Sequence, residues 1–143
     1  MTVAAILNEK GREVTTKAAG DTLREICATL AEKKIGAIVI TEASGTIEGI
    51  ISERDVVRAI AQDGPEALDK PVGEFMTRKV VTCQAQESIN SVMARMSGGR
   101  FRHVPIVRDG KLDGLVSIGD VVKYRIAQIE REAEDMRNYI AMT

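Results

Sequence analysis

Gly49-Ile50-Ile51-Ser52-Glu53-Arg54-Asp55-Val56-Val57 returns late in the chain as Gly114-Leu115-Val116-Ser117-Ile118-Gly119-Asp120-Val121-Val122. Both stretches run glycine, two large aliphatics, serine, two variable residues, aspartate and two valines. The spacing is constant, since 114−49, 117−52 and 120−55 all equal 65. An apolar run that gives way to Ser-x-x-Asp reads as a buried strand turning into a helix. The same corner is therefore built twice.

Working outward, the duplication extends further. Val14, Thr16, Asp21, Thr22, Leu23 and Ile26 match Val80, Thr82, Glu87, Ser88, Ile89 and Val92 at an offset of 66, and the change to 65 falls in the turns at Ser44-Gly45 and Asp109-Gly110. A one-residue difference in a surface turn is what loops tolerate. In chain order, a lead-in helix is expected over Thr2 to Leu7, then a short strand at Val14-Thr15-Thr16. A helix starting at Asp21 or Thr22 and ended by Gly36 follows, then strands Ala37–Ile40 and Ile47–Ile51 and a helix to about Ala61. The second half repeats this with a strand at Val80-Val81-Thr82, a helix from Ser88 broken at Ser97-Gly98-Gly99, strands His103–Val107 and Leu112–Val116, and a long final helix. The expected fold class is α+β, two β-α-β-β-α units packed about a pseudo-twofold axis with an extended C-terminal helix. Residues 1–63 form the first repeat with its lead-in, 64–74 a turn-rich linker, and 75–143 the second repeat.

Composition narrows the function classes. Apolar residues make up 44% of the 143 and aromatics only 3%, so the core is aliphatic. A net charge of −1 offers no global attraction to nucleic acid, and the aromatic platforms that stack on bases are missing. No apolar run reaches the roughly 20 residues of a membrane span, and no signal-like segment opens the chain. A soluble, cytoplasmic protein is expected. Cys27 and Cys83 lack metal-ligand spacing and read as inert buried thiols. With His103 as the sole histidine, neither a metal cluster nor a Ser-His-Asp triad is expected, and no catalytic activity follows.

The corners carry the chemistry. The first amides of a helix lack internal acceptors and carry the positive end of its dipole, so the backbone near Ser117 and Ile118 suits an anion such as phosphate. Asp120 adds acceptor oxygens suited to a vicinal diol, and Gly114 and Gly119 leave room for close approach. Phosphate donor beside diol acceptor reads as a nucleotide site. The same Ser and Asp also serve as ordinary helix caps, and this second reading stands beside the first. Arg95, Arg100, Arg102, His103 and Arg108 make the surroundings of the second corner cationic, whereas the first has Gly36 and Ala37 at the matching positions and Arg54 within the corner.

The repeated Gly-x-x-Ser-x-x-Asp closing each unit, with Val72-Gly73-Glu74-Phe75-Met76-Thr77 and Arg102-His103-Val104-Pro105-Ile106-Val107, resembles a tandem pair of cystathionine-β-synthase (CBS) domains over nearly the whole chain. That resemblance implies a regulatory, non-catalytic module that binds an adenine nucleotide (AMP, ADP, ATP, sometimes NAD or S-adenosylmethionine) in clefts between the halves. It implies that Asp55 and Asp120 hold ribose hydroxyls and that Ser52 and Ser117 contact phosphate. Arg54 would assist in one cleft and Arg102 and His103 in the other. Thr16 and Thr82 would line the adenine pocket, with Ile38, Val104 and Pro105 as apolar walls. Because Pro105 and Arg102-His103 occur only in the second copy, Ser117-Ile118-Gly119-Asp120 is expected to be the stronger site. The module fills the chain, so the regulated partner protein is unidentified.

The resemblance also implies a homodimer. The last helix carries a heptad-like stripe at Val122, Ile126, Ile129, Ala133, Met136 and Ile140, spaced 4, 3, 4, 3, 4, which reads either as a face packed on its own unit or as part of a homodimer seam. A purely structural dimerisation module, with the corners serving only as caps, is the alternative function.

Overall fold

The computed structural model describes residues 1–142. Helix α1 (Val3–Lys10) opens the chain, and strand β1 (Thr16–Lys17), helix α2 (Leu23–Lys33), strands β2 (Ala37–Thr41) and β3 (Ile47–Ser52) and helix α3 (Glu53–Asp63) build the first unit. Two 3-10 helices, Gly64–Asp69 and Val72–Glu74, lead to helix α4 (Ile89–Gly99), strands β4 (His103–Arg108) and β5 (Lys111–Ser117) and helix α5 (Ile118–Met142). In the first sheet β1 runs parallel to β2, which pairs antiparallel with β3. The second sheet holds β4 and β5 alone. The strand expected at Val80-Val81-Thr82 does not form. Its ladder shrinks to one parallel bridge at Cys83, whose amide donates to Pro105 O and whose carbonyl accepts from the Val107 amide.

Local chemistry starts and stops the helices. Thr22 caps α2 in a capping box with Glu25, and the Ser88 hydroxyl accepts from the Ser91 amide at the head of α4. Glycine does not end either helix. Lys34 (φ 54) and Arg100 (φ 58) adopt the left-handed cap at equivalent places, so α2 stops before Gly36 and α4 runs through Ser97-Gly98-Gly99. Asp109 (φ 53) and Gly110 (φ 76) make the two-residue turn between β4 and β5, where positive φ at both positions matches the twist of a hairpin.

The halves keep separate cores. One is built on Leu23, Ile26, Ile38, Ile40 and Ile51, the other on Ile89, Val92, Val104, Ile106 and Val116. Each also takes a segment from outside its own unit. Val3, Ile6 and Leu7 of α1 enter the second core, although α1 precedes the first repeat. The 64–74 segment, expected as a linker, seats Ala67 and Val72 in the first core, with the Val72 and Gly73 amides bonded to Asp21 O and Ala19 O.

The paired glycines follow from this exchange. A Cβ on Gly49 would lie 2.7 Å from Met76 Sδ and 2.8 Å from Thr77 O, and one on Gly114 would lie 2.7 Å from Leu7 Cδ2. Both glycines make room for a crossing segment of the chain rather than for a ligand.

Candidate nucleotide-binding cleft

Each Ser-x-x-Asp corner closes on itself as a reciprocal cap. In the first, the Ser52 amide donates to Asp55 Oδ2 (2.9 Å), the Ser52 hydroxyl donates to the same oxygen (3.0 Å), and the Asp55 amide donates back to Ser52 Oγ (3.4 Å). In the second, the Ser117 amide donates to Asp120 Oδ2 (2.9 Å) and the Asp120 amide to Ser117 Oγ (3.1 Å). The amide after each serine also finds a partner: Glu53 N donates to Gly36 O (3.1 Å) and Ile118 N to Arg102 O (2.8 Å). The capping role is thus present in both copies. It uses one oxygen of each carboxylate and leaves the other.

The surroundings of the two corners differ. Lys10 Nζ donates to Asp120 Oδ2 (2.6 Å) and to Leu115 O (2.9 Å), tying the end of α1 to the second corner. Burial would raise the Asp120 carboxyl, but the Lys10 hydrogen bond and the Ser117 amide outweigh it and hold it below the usual carboxylate range. Arg12 and Asp113 form a second ion pair between the N-terminal segment and β5. Around Asp55 no such latch exists among the described residues. Its Oδ1 has only the Arg58 guanidinium, 4.0 Å away.

A cleft of about 770 Å³ opens at the first corner and runs to the second unit. Ser52, Arg54 and Asp55 line one side, and Lys79, Arg100, Arg102 and His103 line the other. With Arg58 the cleft carries five cationic side chains against Glu53 and Asp55, so its field favours an anion. Ile50, Val80, Val81 and Phe101 supply its apolar surface. Thr77 reaches it because its amide and carbonyl pair with those of Ile50 (2.9 and 3.0 Å). The left-handed cap at Arg100 delivers that side chain to the cleft.

His103 joins the two corners. Its ring lies over Gly36, where an added Cβ would meet Cε1 at 3.3 Å and Nε2 at 3.4 Å. Burial pushes its pKa below 6.5, opposed by Asp120 and Glu53 and aided by Lys10 and Arg102. The imidazole is therefore neutral at pH 7. Gly36, which carries no charge of its own, is what admits the histidine of the other unit.

The expected residues are thus distributed unevenly. Ser52, Arg54, Asp55, Arg102 and His103 share the cleft. Ser117 and Asp120 form the latched corner, with Ile118 and Gly119 exposed at the start of α5. Ile38 and Val104 have no exposed surface, Pro105 is buried, and none of the three lines the cleft. Thr16 stands exposed on the sheet edge, and the Thr82 carbonyl accepts from Arg95. Neither threonine lines the cleft; Thr77 does. Thr77, Lys79 and Arg100 were not anticipated in these roles. Met76-Thr77 ahead of the second repeat was the available sign, but only the Gly49 contact shows which corner it serves.

Comparison with known proteins agrees with this architecture. The family model for the CBS domain matches twice, at residues 10–62 and 72–127. The crystal structure of a CBS-domain containing protein from Agrobacterium tumefaciens is 45% identical, with a TM-score of 0.85 over 87% of this chain and 99% of that one. A CBS domain protein from Pyrobaculum aerophilum complexed with AMP is 27% identical (TM-score 0.75; 84% and 89% covered). So is the CBS domain pair of protein MJ0100 in complex with 5′-methylthioadenosine and S-adenosyl-L-methionine (TM-score 0.78; 87% and 98% covered). Among curated relatives, CBSX3, mitochondrial, of Arabidopsis thaliana is 28% identical over 97% of this chain and 71% of its own length, whereas the chain spans only 22% of CBSCBSPB2 from the same plant. With both units matched and the duplicated corner in place, the chain belongs to the CBS domain family as a tandem pair.

Proposed function

We propose that this chain is a non-catalytic regulatory module that binds an adenine nucleotide in the cleft between its two units and reports it to a regulated protein. The single observation that carries this reading is the cleft itself, where the Asp55 corner of one unit faces Lys79, Arg100 and Arg102 of the other. Asp55 Oδ1 would accept from the ribose diol, while the guanidinium forks of Arg100 and Arg102 take phosphate oxygens. Thr77 and the apolar lining of Ile50, Val80 and Val81 would meet the base. The adenosine ligands named for two solved relatives support this choice of ligand class. AMP, ADP, ATP and NAD(H) all present the required diol and phosphate. A homodimer belongs to this reading, as does a cytoplasmic location, for which two free cysteines are suited.

A ligand that touches both units biases their relative orientation, which is the physical basis for signalling. The ranking of sites reverses relative to the expectation from sequence. Each corner keeps one carboxylate oxygen outside its cap, but Asp120 is already paired with Lys10, whereas Asp55 borders a cleft whose cations favour an anion.

Isothermal titration with AMP, ATP and NADH tests the reading. Binding below millimolar concentration is expected, and heat from none of the three defeats it. Asp55→Asn should retain the reciprocal cap, because a carboxamide oxygen can still accept from the Ser52 amide and hydroxyl, yet weaken binding about tenfold, as loss of a hydrogen bond to a charged acceptor implies. Asp55→Ala should lose binding and about 1 kcal/mol of stability together. Asp120→Asn should affect binding less than Asp55→Asn. A purely structural module predicts instead that nucleotide adds no stability and that only the alanine variant changes anything.

A further inference from the structure

The second sheet is one strand short of the first, and a single missing amide accounts for the difference. In the first unit β1 is held by two parallel bridges, Thr16↔Val39 and Lys17↔Ile40. At the offset of 66 the matching pairs are Thr82↔Pro105 and Cys83↔Ile106, and only the latter forms. There the Cys83 amide donates to Pro105 O (3.1 Å) and the Cys83 carbonyl accepts from the Val107 amide (2.9 Å). An extended residue turns its nitrogen and its carbonyl to the same neighbour, so the next bond upstream would run from an amide at 105 to Val81 O. Proline has no such hydrogen. Val39, at the equivalent place in β2, does.

The consequence falls on the cleft. Val80 and Val81 line it, and Val81 is 40% exposed. Among the described residues no hydrogen bond reaches the amide or the carbonyl of either. The segment is nevertheless fixed at both ends. Thr77 pairs with Ile50 upstream, and downstream Arg95 donates to Thr82 O (3.1 Å) while Cys83 bridges to β4. A short stretch of unpaired main chain is thus held between two anchors along the cleft, with little left to order when a ligand binds.

We propose that Pro105 is a positioning residue for nucleotide binding: by withholding one amide, it keeps Val80 and Val81 off β4 and leaves their main chain open to the base. This role presupposes the nucleotide reading, and Pro105, itself buried, never touches the ligand. The Val81 carbonyl suits an exocyclic amine and the Val81 amide suits a ring nitrogen with a free lone pair. Adenine offers that pair side by side, whereas guanine presents an oxygen in place of the amine and a hydrogen on the ring nitrogen.

Pro105→Ala supplies the missing donor. In the ligand-free chain, followed by NMR, the Val81 amide should exchange about tenfold more slowly than in the wild type, because the ladder can then run on to His103 O. AMP affinity should fall about tenfold, and the preference for AMP over GMP with it, since ladder bonds must open before the base can use that edge. Pro105→N-methylalanine, introduced by ligating a synthetic segment at the native Cys83, removes the ring without adding a donor. It should match the wild type in both readouts, whereas a role for the ring alone predicts that both variants weaken binding alike. The wild-type chain carries an independent check: saturating AMP should slow exchange at the Val81 amide. An unchanged Val81 amide or unchanged AMP affinity in Pro105→Ala overturns the role. So does an N-methylalanine variant that behaves like the alanine one, or a Val81 amide indifferent to AMP. A wild-type chain that binds no nucleotide defeats the nucleotide reading and this role together; binding with no loss in Pro105→Ala defeats the role alone.

Discussion

His103 links both corners, and its ring is kept neutral by the place it occupies. Burial against Gly36 disfavours the imidazolium, and Lys10 and Arg102 add to that, while Asp120 and Glu53 pull the other way without prevailing. Well above pH 6.5 the ring is neutral in folded and unfolded chains alike and contributes nothing to pH dependence. Below that value the unfolded chain takes up a proton that the folded chain resists, so stability falls until the folded pKa is passed. Asp120 behaves as a depressed carboxyl: its contribution is present above the unfolded value near 3.9 and is lost as pH falls through the folded one. Because the chain has one histidine, its imidazole resonance can be followed alone by NMR. The midpoint should lie below 6.5 and rise when AMP is added, since phosphate in the cleft favours the charged ring. A midpoint at or above 6.5 without nucleotide would contradict the burial argument. His103→Gln should flatten the stability profile just below pH 6.5.

At the scale of elements, the end of a helix serves two purposes. Lys34 and Arg100 close α2 and α4 in the left-handed region, where a side chain costs roughly 1 kcal/mol relative to glycine. Lys34 lies outside the cleft, whereas Arg100 lines it. Lys34→Gly should therefore raise stability by up to about 1 kcal/mol and leave nucleotide binding unchanged. Arg100→Gly should bring a similar backbone gain while weakening AMP affinity, because it removes a guanidinium from the phosphate side. Thermal melts and titration of the two variants separate these effects. Equal losses of affinity in both would show that Arg100 acts only through the backbone. The expectation that glycines stop these helices failed for a physical reason. The flexible residue was available nearby, but Gly36 is needed where His103 lies and Gly99 where the Phe101 ring lies.

For the whole molecule, the units exchange parts. The N-terminal helix stabilises the C-terminal unit, and the segment between the repeats completes the N-terminal one. Leu7 is 1% exposed within the second core and lies against Gly114. Leu7→Ala should cost about 2–5 kcal/mol. Hydrogen exchange should accelerate first in α4, β4 and β5 rather than in the neighbouring first unit. Faster exchange confined to α2, β2 and β3 would refute the exchange of segments. Lys10 sits at the end of that same helix, so the position of α1 and the availability of Asp120 are coupled through one ammonium.

Much of this protein is legible in one dimension because its signals are local or repeated. The alternation of strand and helix, the capped Ser-x-x-Asp corners, the one-residue difference between turns and the heptad stripe of α5 all depend on residues close in sequence. The strand at Val80-Val81-Thr82 was misread because β-propensity there is not matched by a partner, and only Cys83 reaches β4. Which corner faces an open cleft was not legible. That depends on Lys10 reaching Asp120 across 110 residues, on Thr77 pairing with Ile50, and on Arg100 and Arg102 of one unit standing opposite Asp55 of the other. Sequence alone determined that two equivalent corners exist. Tertiary structure decided that they are unequal, because long-range packing brings an ammonium to one carboxylate and leaves an oxygen of the other beside a cationic cleft.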